Sequence, residues 1–191
     1  APIAAVSNAA IPALWGVCFG DRLGVLQVVG VFLGMVAITM VSREKRNDSH
    51  SGSLTPGLLG EALLSGAGFG AFFIFMDLTA EATTPWPLVS ARVVSAGVAL
   101  LLLARMRRSP IPRRDEGRLA IVGAGILDMA ANLTIFYALH RGMLSLVAVL
   151  GSLYPASTVV LARYVLHERM SRTQLLGLVV ALTAIAAIVS G

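Results

Sequence analysis

The sequence predicts an all-α polytopic membrane protein with about seven transmembrane helices. Three observations predict it. Hydrophobic residues make up 57% of the 191 residues and charged residues only 13%, against roughly 25% charged in ordinary soluble domains. Mean hydropathy is +0.82, and a soluble fold of this size would lack the polar residues to coat its outside. The apolar residues also gather in runs long enough to cross a bilayer, without the alternation over roughly ten residues that marks barrel strands.

A helix needs about 20 apolar residues to span lipid. In chain order the runs are Pro2–Phe19, Leu23–Val41, Pro56–Leu78, Pro85–Ala104, Leu119–Leu139, Met143–Val165 and Thr173–Ser190. Pro56 and Pro85 stand at helix starts, where a missing N–H costs little. Pro155 lies inside the sixth run, where it frees a backbone carbonyl and predicts a kink. Gly30 and Gly34 form a GxxxG on the second run, and Gly66 and Gly70 form another on the third, with Gly68 between them. This spacing suits close helix packing in lipid, with a hinge or cavity wall at 65–70 as the other reading.

The links are polar. Residues 43–54 (REKRNDSHSGSL) form a Ser-rich linker, and 105–118 (RMRRSPIPRRDEGR) is basic and broken by prolines. Fourteen of the fifteen basic residues are Arg, and Lys45 is the one Lys. Basic clusters can bind nucleic acid, but here each lies between membrane-length apolar runs, so anchoring at the lipid interface is expected and nucleic acid is not. The single cysteine, Cys18, reads as a small packing residue. Trp15, Trp86, Phe136 and Tyr137 lie near helix ends and suit interfacial belts.

A repeat runs through these elements. GDRLGVLQVVGVFLGMVAITMVS, from Gly20, aligns without gaps on HERMSRTQLLGLVVALTAIAAIVS, from His167. Asp21 falls on Glu168, Arg22 on Arg169, Gln27 on Gln174 and Gly30 on Gly177. Each copy follows an apolar helix that carries a proline, Pro12 or Pro155. Three runs separate the copies. An odd number of crossings makes them point opposite ways, which is an inverted repeat. Residues 55–191 then form a complete five-helix unit and 1–42 the last two helices of another, joined by the 43–54 linker. On that reading three further helices are expected ahead of Ala1.

The stretch LVAVLGSLYPASTVVLARYVLHERMSRTQLLG, 146–177, together with 1–42, resembles the EamA family of the drug/metabolite transporter superfamily. The resemblance implies a ten-helix bundle of two inverted five-helix repeats (5+5). It implies a secondary transporter, an exporter by expectation, of amino acids, metabolites or drugs in the cell (plasma or inner) membrane. A truncated or partner-completed subunit without transport of its own is the alternative reading.

Ionisable groups inside lipid are costly, so each is a candidate. Arg92 lies about 10 Å from one membrane face and Asp128 about 14 Å from the other, which brings them within reach of each other in a core of about 30 Å. An ion pair is expected, serving either to orient two helices or to handle solute or proton. Glu61 either snorkels to the interface or acts as a buried proton-coupling carboxylate. Ser7, Asn8, Asn132, Ser152 and Tyr154, with the Pro155 kink, are candidates to line a solute cavity. Asp21–Arg22 and Glu168–Arg169 read as turn and capping residues. Expected partners are the lipid bilayer, a small-molecule solute and a proton as coupling ion. No cofactor, metal or enzyme activity is expected. His50, His140 and His167 all fall in loops, and no GxSxG serine with a partner histidine is present.

Overall fold

In lipid a backbone has to satisfy its own polar groups, and each apolar run of this chain does so by winding into helix. The computed structural model describes residues 2–42, 56–107, 117–167 and 169–191. The 43–54 linker with Lys45 and His50, most of the basic 105–118 segment, and Glu168 lie outside the described residues.

The helices are α1 (Pro2–Phe19), α2 (Val25–Val41), α3 (Pro56–Asp77), α4 (Trp86–Arg105), α5 (Arg118–Leu139), α6 (Leu144–Gly151), α7 (Tyr154–Val165) and α8 (Arg172–Ser190). Their ends fall within two residues of the expected runs, except that the sixth run is two helices. The expected kink is a break at Ser152–Leu153. The Ser152 N–H donates to Ala148 O at 2.9 Å and ends α6. Pro155 sits in the first turn of α7, so the Gly151 carbonyl loses its i+4 donor. Five spans are long and apolar enough to cross a membrane: Gly57–Asp77, Trp86–Arg105, Leu119–Leu139, Leu144–Val165 and Arg172–Ser190. Ile3–Phe19 and Val25–Val41 are apolar but shorter.

The chain forms two compact units, Ala1–Phe75 with Gly142–Gly191, and Met76–Arg141. In the first, α2 and α8 pack together more extensively than any other helix pair. They start alike. Gln27 Oε1 accepts the Gly24 N–H at 2.9 Å, and Gln174 Oε1 accepts the Ser171 N–H at 2.9 Å. Ser171 adds its own Oγ as acceptor for the Gln174 N–H at 3.2 Å.

They also touch reciprocally. A Cβ on Gly30 would lie 2.7 Å from Ile188 Cγ1, and one on Gly177 would lie 2.7 Å from Val41 Cγ2. The offset that carries Gly30 onto Gly177 carries Val41 onto Ile188, so one contact is made twice, once from each helix. Antiparallel helices related by a local two-fold make contacts of this kind, as an inverted repeat requires.

Ala5, Ala9 and Ala13 form a small-residue stripe on α1, packed in one core with Leu146, Val149, Leu153, Ala37, Ile38, Ala181 and Ile188. Both GxxxG pairs are packing surfaces. Gly34 faces Val149, Gly66 faces Ala4 and Ser7, and Gly70 faces Ile11 and Pro12, while Gly68 is open. Cys18 is exposed on α1 rather than packed.

In the second unit, His140 caps the end of α5. Its Nδ1 lies 2.9 Å from Phe136 O and its Nε2 lies 2.5 Å from Thr79 O. Phe136 is 1% exposed, a core residue and not an interfacial one, and its ring lies against the tilted His140 ring, with centroids 4.4 Å apart. Arg141 pairs with Glu81 at 3.5 Å and lies over the Tyr137 ring.

Candidate functional site

The break between α6 and α7 sets up the candidate site of the first unit. Ending one helix and starting another turns the Tyr154 side chain outward between two hollows. One, of about 240 Å³, is lined by Ala5, Val41, Ser42, Tyr154, Pro155, Thr158, Val159 and Gln174. The other, of about 510 Å³, lies between α6–α7 and α8, with Tyr154 and Ser157 as its polar residues among leucine, alanine, valine, glycine and isoleucine. Among the described residues neither lining contains Asp, Glu, Lys, Arg or His.

Buried polar atoms mark the same region. Asn8 is 6% exposed and Ser152 fully buried. Asn8 Oδ1, Ser42 Oγ and Ser152 Oγ have no hydrogen-bond partner among the described residues. A buried group left unpaired costs about 1–3 kcal/mol, and such atoms in a native fold ask for an explanation. Register brings two of them level. α1 and α6 are antiparallel where Ala13 meets Ser145. From that contact Asn8 is five residues back and Ser152 seven on, about 7.5 and 10.5 Å at 1.5 Å per residue.

The other expected residues are placed as follows. Ser7 Oγ donates to Ile3 O at 2.9 Å within its own helix and packs beside Gly66. Glu61 is exposed on α3. In the second unit, Arg92 Nη2 donates to Asp128 Oδ2, joining α4 to α5. Asn132 Nδ2 donates to the Asp128 carbonyl at 2.7 Å and lies 3.4 Å from its Oδ1. Both members of the ion pair are about half exposed on apolar helices. Tyr154 and Pro155 therefore share a cavity, Asn8 and Ser152 share a level, and Arg92, Asp128 and Asn132 form a separate cluster.

Four residues escaped the sequence reading. Thr158 is one helical turn from Tyr154, a spacing that could have flagged it. Gln174 stood out only as a repeat mate. Ser42 carried no signal beyond being polar at a helix end. Ser145, whose N–H and hydroxyl both meet Asp21, lies too far along the chain for any local pattern to show the pairing.

The profile of the EamA-like transporter family matches residues 58–190. An uncharacterized protein of Methanocaldococcus jannaschii is 27% identical over 123 residues, which are 64% of this chain and 89% of that protein. No solved structure matches.

Proposed function

The chain belongs to the EamA-like transporter family, and from that premise we propose that it is a secondary transporter exporting small organic solutes by alternating access between its inverted repeats. On this reading 1–42 belongs to the first repeat and 55–191 is the second, with 43–54 as linker. Membership of a transporter family supports transport as the activity. The membrane is that of the cell, plasma or inner.

The observation that carries the reading is a set of buried oxygens without a partner among the described residues: that of Ser42, which lines the Tyr154 cavity, and those of Asn8 and Ser152 on the neighbouring α1 and the helix break. A solute with hydrogen-bond donors satisfies them on binding, and at the broken backbone Pro155 leaves the Gly151 carbonyl without its helical donor. The hydroxyls of Ser42, Tyr154 and Thr158 line the approach, and the described residues of the cavity wall carry no charge. An uncharged or internally neutralised solute fits that lining. The Arg92–Asp128–Asn132 cluster orients α4 against α5, and Glu61 is the carboxylate left for proton coupling.

The test uses the full chain in proteoliposomes and a panel of radiolabelled neutral amino acids and amides. We expect saturable flux that Tyr154→Ala and Ser152→Ala each lower several-fold, with Glu61→Gln abolishing its response to a pH gradient. Flux unchanged in both the Tyr154 and the Ser152 variant would remove this site from the pathway.

A further inference from the structure

We infer that the Asp21 carboxylate is a latch that holds one end of the first unit shut, and that its release is a step of the transport cycle. Asp21 Oδ2 accepts the Ser145 backbone N–H at 2.8 Å and the Ser145 hydroxyl at 2.5 Å. The hydroxyl also lies 3.1 Å from the Ala13 carbonyl. Three pieces of chain meet there: the end of α1, the α1–α2 turn and the first turn of α6.

The local structure is built around this contact. Gly20 takes a φ of +144°, which favours glycine, and the N–H groups of Gly20 and Asp21 both donate to Gly16 O, at 3.0 and 2.8 Å. That turn delivers Asp21 to the start of α6, where a carboxylate meets free N–H groups and the positive end of the helix dipole. Gly16 leaves the room. A Cβ there would collide with Asp21 Oδ2 and lie 2.5 Å from Ser145 Oγ. Ser145 is fully buried behind the contact.

The opposite end of the unit differs. Chain direction places the end of α1, the start of α2 and the start of α6 together, and Gly191 after α8 lies against Leu26 and Gln27 at that same end. The end of α2 and the start of α8 lie at the other, where the Tyr154 cavity is lined by Ser42 and Gln174. One end is therefore tied by charge-assisted hydrogen bonds while the other carries a hollow. The inference rests on the transport reading, because only alternating access gives a latch at one end a reason to open when the other closes.

The experiment measures water access at both ends in the full chain, in bilayer nanodiscs with Cys18→Ser as background. Leu146→Cys reports behind the latch and Ser42→Cys reports in the cavity, each by its rate of reaction with a membrane-impermeant maleimide. With Asp21 intact we expect slow labelling at 146 and fast labelling at 42. Asp21→Ala is expected to raise the first and lower the second, each by roughly ten-fold or more, as expected for loss of two charge-assisted hydrogen bonds. Asp21→Asn, which keeps an acceptor oxygen, restores part of the original pattern. Should Asp21→Ala lose its helical circular dichroism, Ser145→Ala carries the test with a smaller shift in the same directions. A rise at 146 without a fall at 42 makes Asp21 a local helix cap and overturns the latch, as does no change at either site. A chain that labels as expected yet moves no solute overturns the transport reading and leaves the end-to-end coupling standing.

Discussion

Asp128 lies where a lone carboxylate would be expensive. A central charge costs about 2.5–3.5 kcal/mol on insertion scales, and Arg92 offsets that by donating to it across the α4–α5 gap. Removing one partner leaves the other uncompensated. Arg92→Ala and Asp128→Ala are each expected to lose about 2.5 kcal/mol, and the double variant to regain most of it. Thermal unfolding in detergent checks this, and a double variant worse than either single one would sever the pair from stability. Ser152 gives the opposite case. Its hydroxyl is buried without a partner among the described residues, so Ser152→Ala is expected to change stability by less than about 0.5 kcal/mol while lowering flux. This is the residue scale at which the sequence was hardest to read. Arg92 and Asp128 could be paired on paper because charge in lipid is rare and helix rise sets depth. Asn8 and Ser152 could not, because a small polar residue on an apolar helix faces lipid headgroup, neighbour or cavity with the same pattern. Asp21 and Ser145 stand 124 residues apart, and only the folded chain shows them meeting.

At the scale of elements, apolar runs and prolines were reliable guides. The run ends and the prolines at 56 and 85 marked helix starts within two residues, because each run stops where lipid stops. The Gly30–Gly177 match also forecast real contacts, since a repeat conserves what packs. Pro155 located the irregularity but not its size, which depends on how neighbouring helices support the freed backbone. The reciprocal contacts make a matched prediction. Gly30→Ala and Gly177→Ala each press a methyl into the partner helix and are each expected to cost about 1–3 kcal/mol, similar at the two sites, as read by unfolding in detergent. A cost at only one would break the local two-fold. His140 supplies a pH dependence. Burial alone would lower its pKa. The Phe136 and Thr79 carbonyls, then Glu81 and Asp77, outweigh that and raise it above 6.5, with Arg141 beside it drawn to Glu81. Both ring nitrogens face acceptors, so the imidazolium is the form the loop wants. The sign follows. The contribution is complete below about pH 6.5 and fades as pH rises through the raised folded value. Unfolding temperature from about pH 5 to about pH 9 is expected to fall more in the wild type than in His140→Gln.

For the whole molecule, the exterior is the mark of its solvent. Leucine, valine and phenylalanine are exposed along α2, α3, α4, α5, α7 and α8, as lipid allows and water does not. Alkaline carbonate is expected to leave the chain in the membrane pellet, and its release would overturn the polytopic reading. Helix length adds a second expectation. α2, at 17 residues, reaches about 25.5 Å against a core of about 30 Å. The protein is expected to be more heat-stable in bilayers of shorter acyl chains.

The inverted pair also holds one helix in two shapes. α1 and α6–α7 precede matching turns and matching helices, yet α1 passes through Pro12 unbroken while its counterpart comes apart at Ser152–Leu153. If the copies traded shapes, α1 would open near its middle and α6–α7 would straighten, and the hollow would move to the other end. On the proposed alternating-access reading, the straight α1 and the broken α6–α7 are the two ends of one bending motion, held side by side like two frames of the same film.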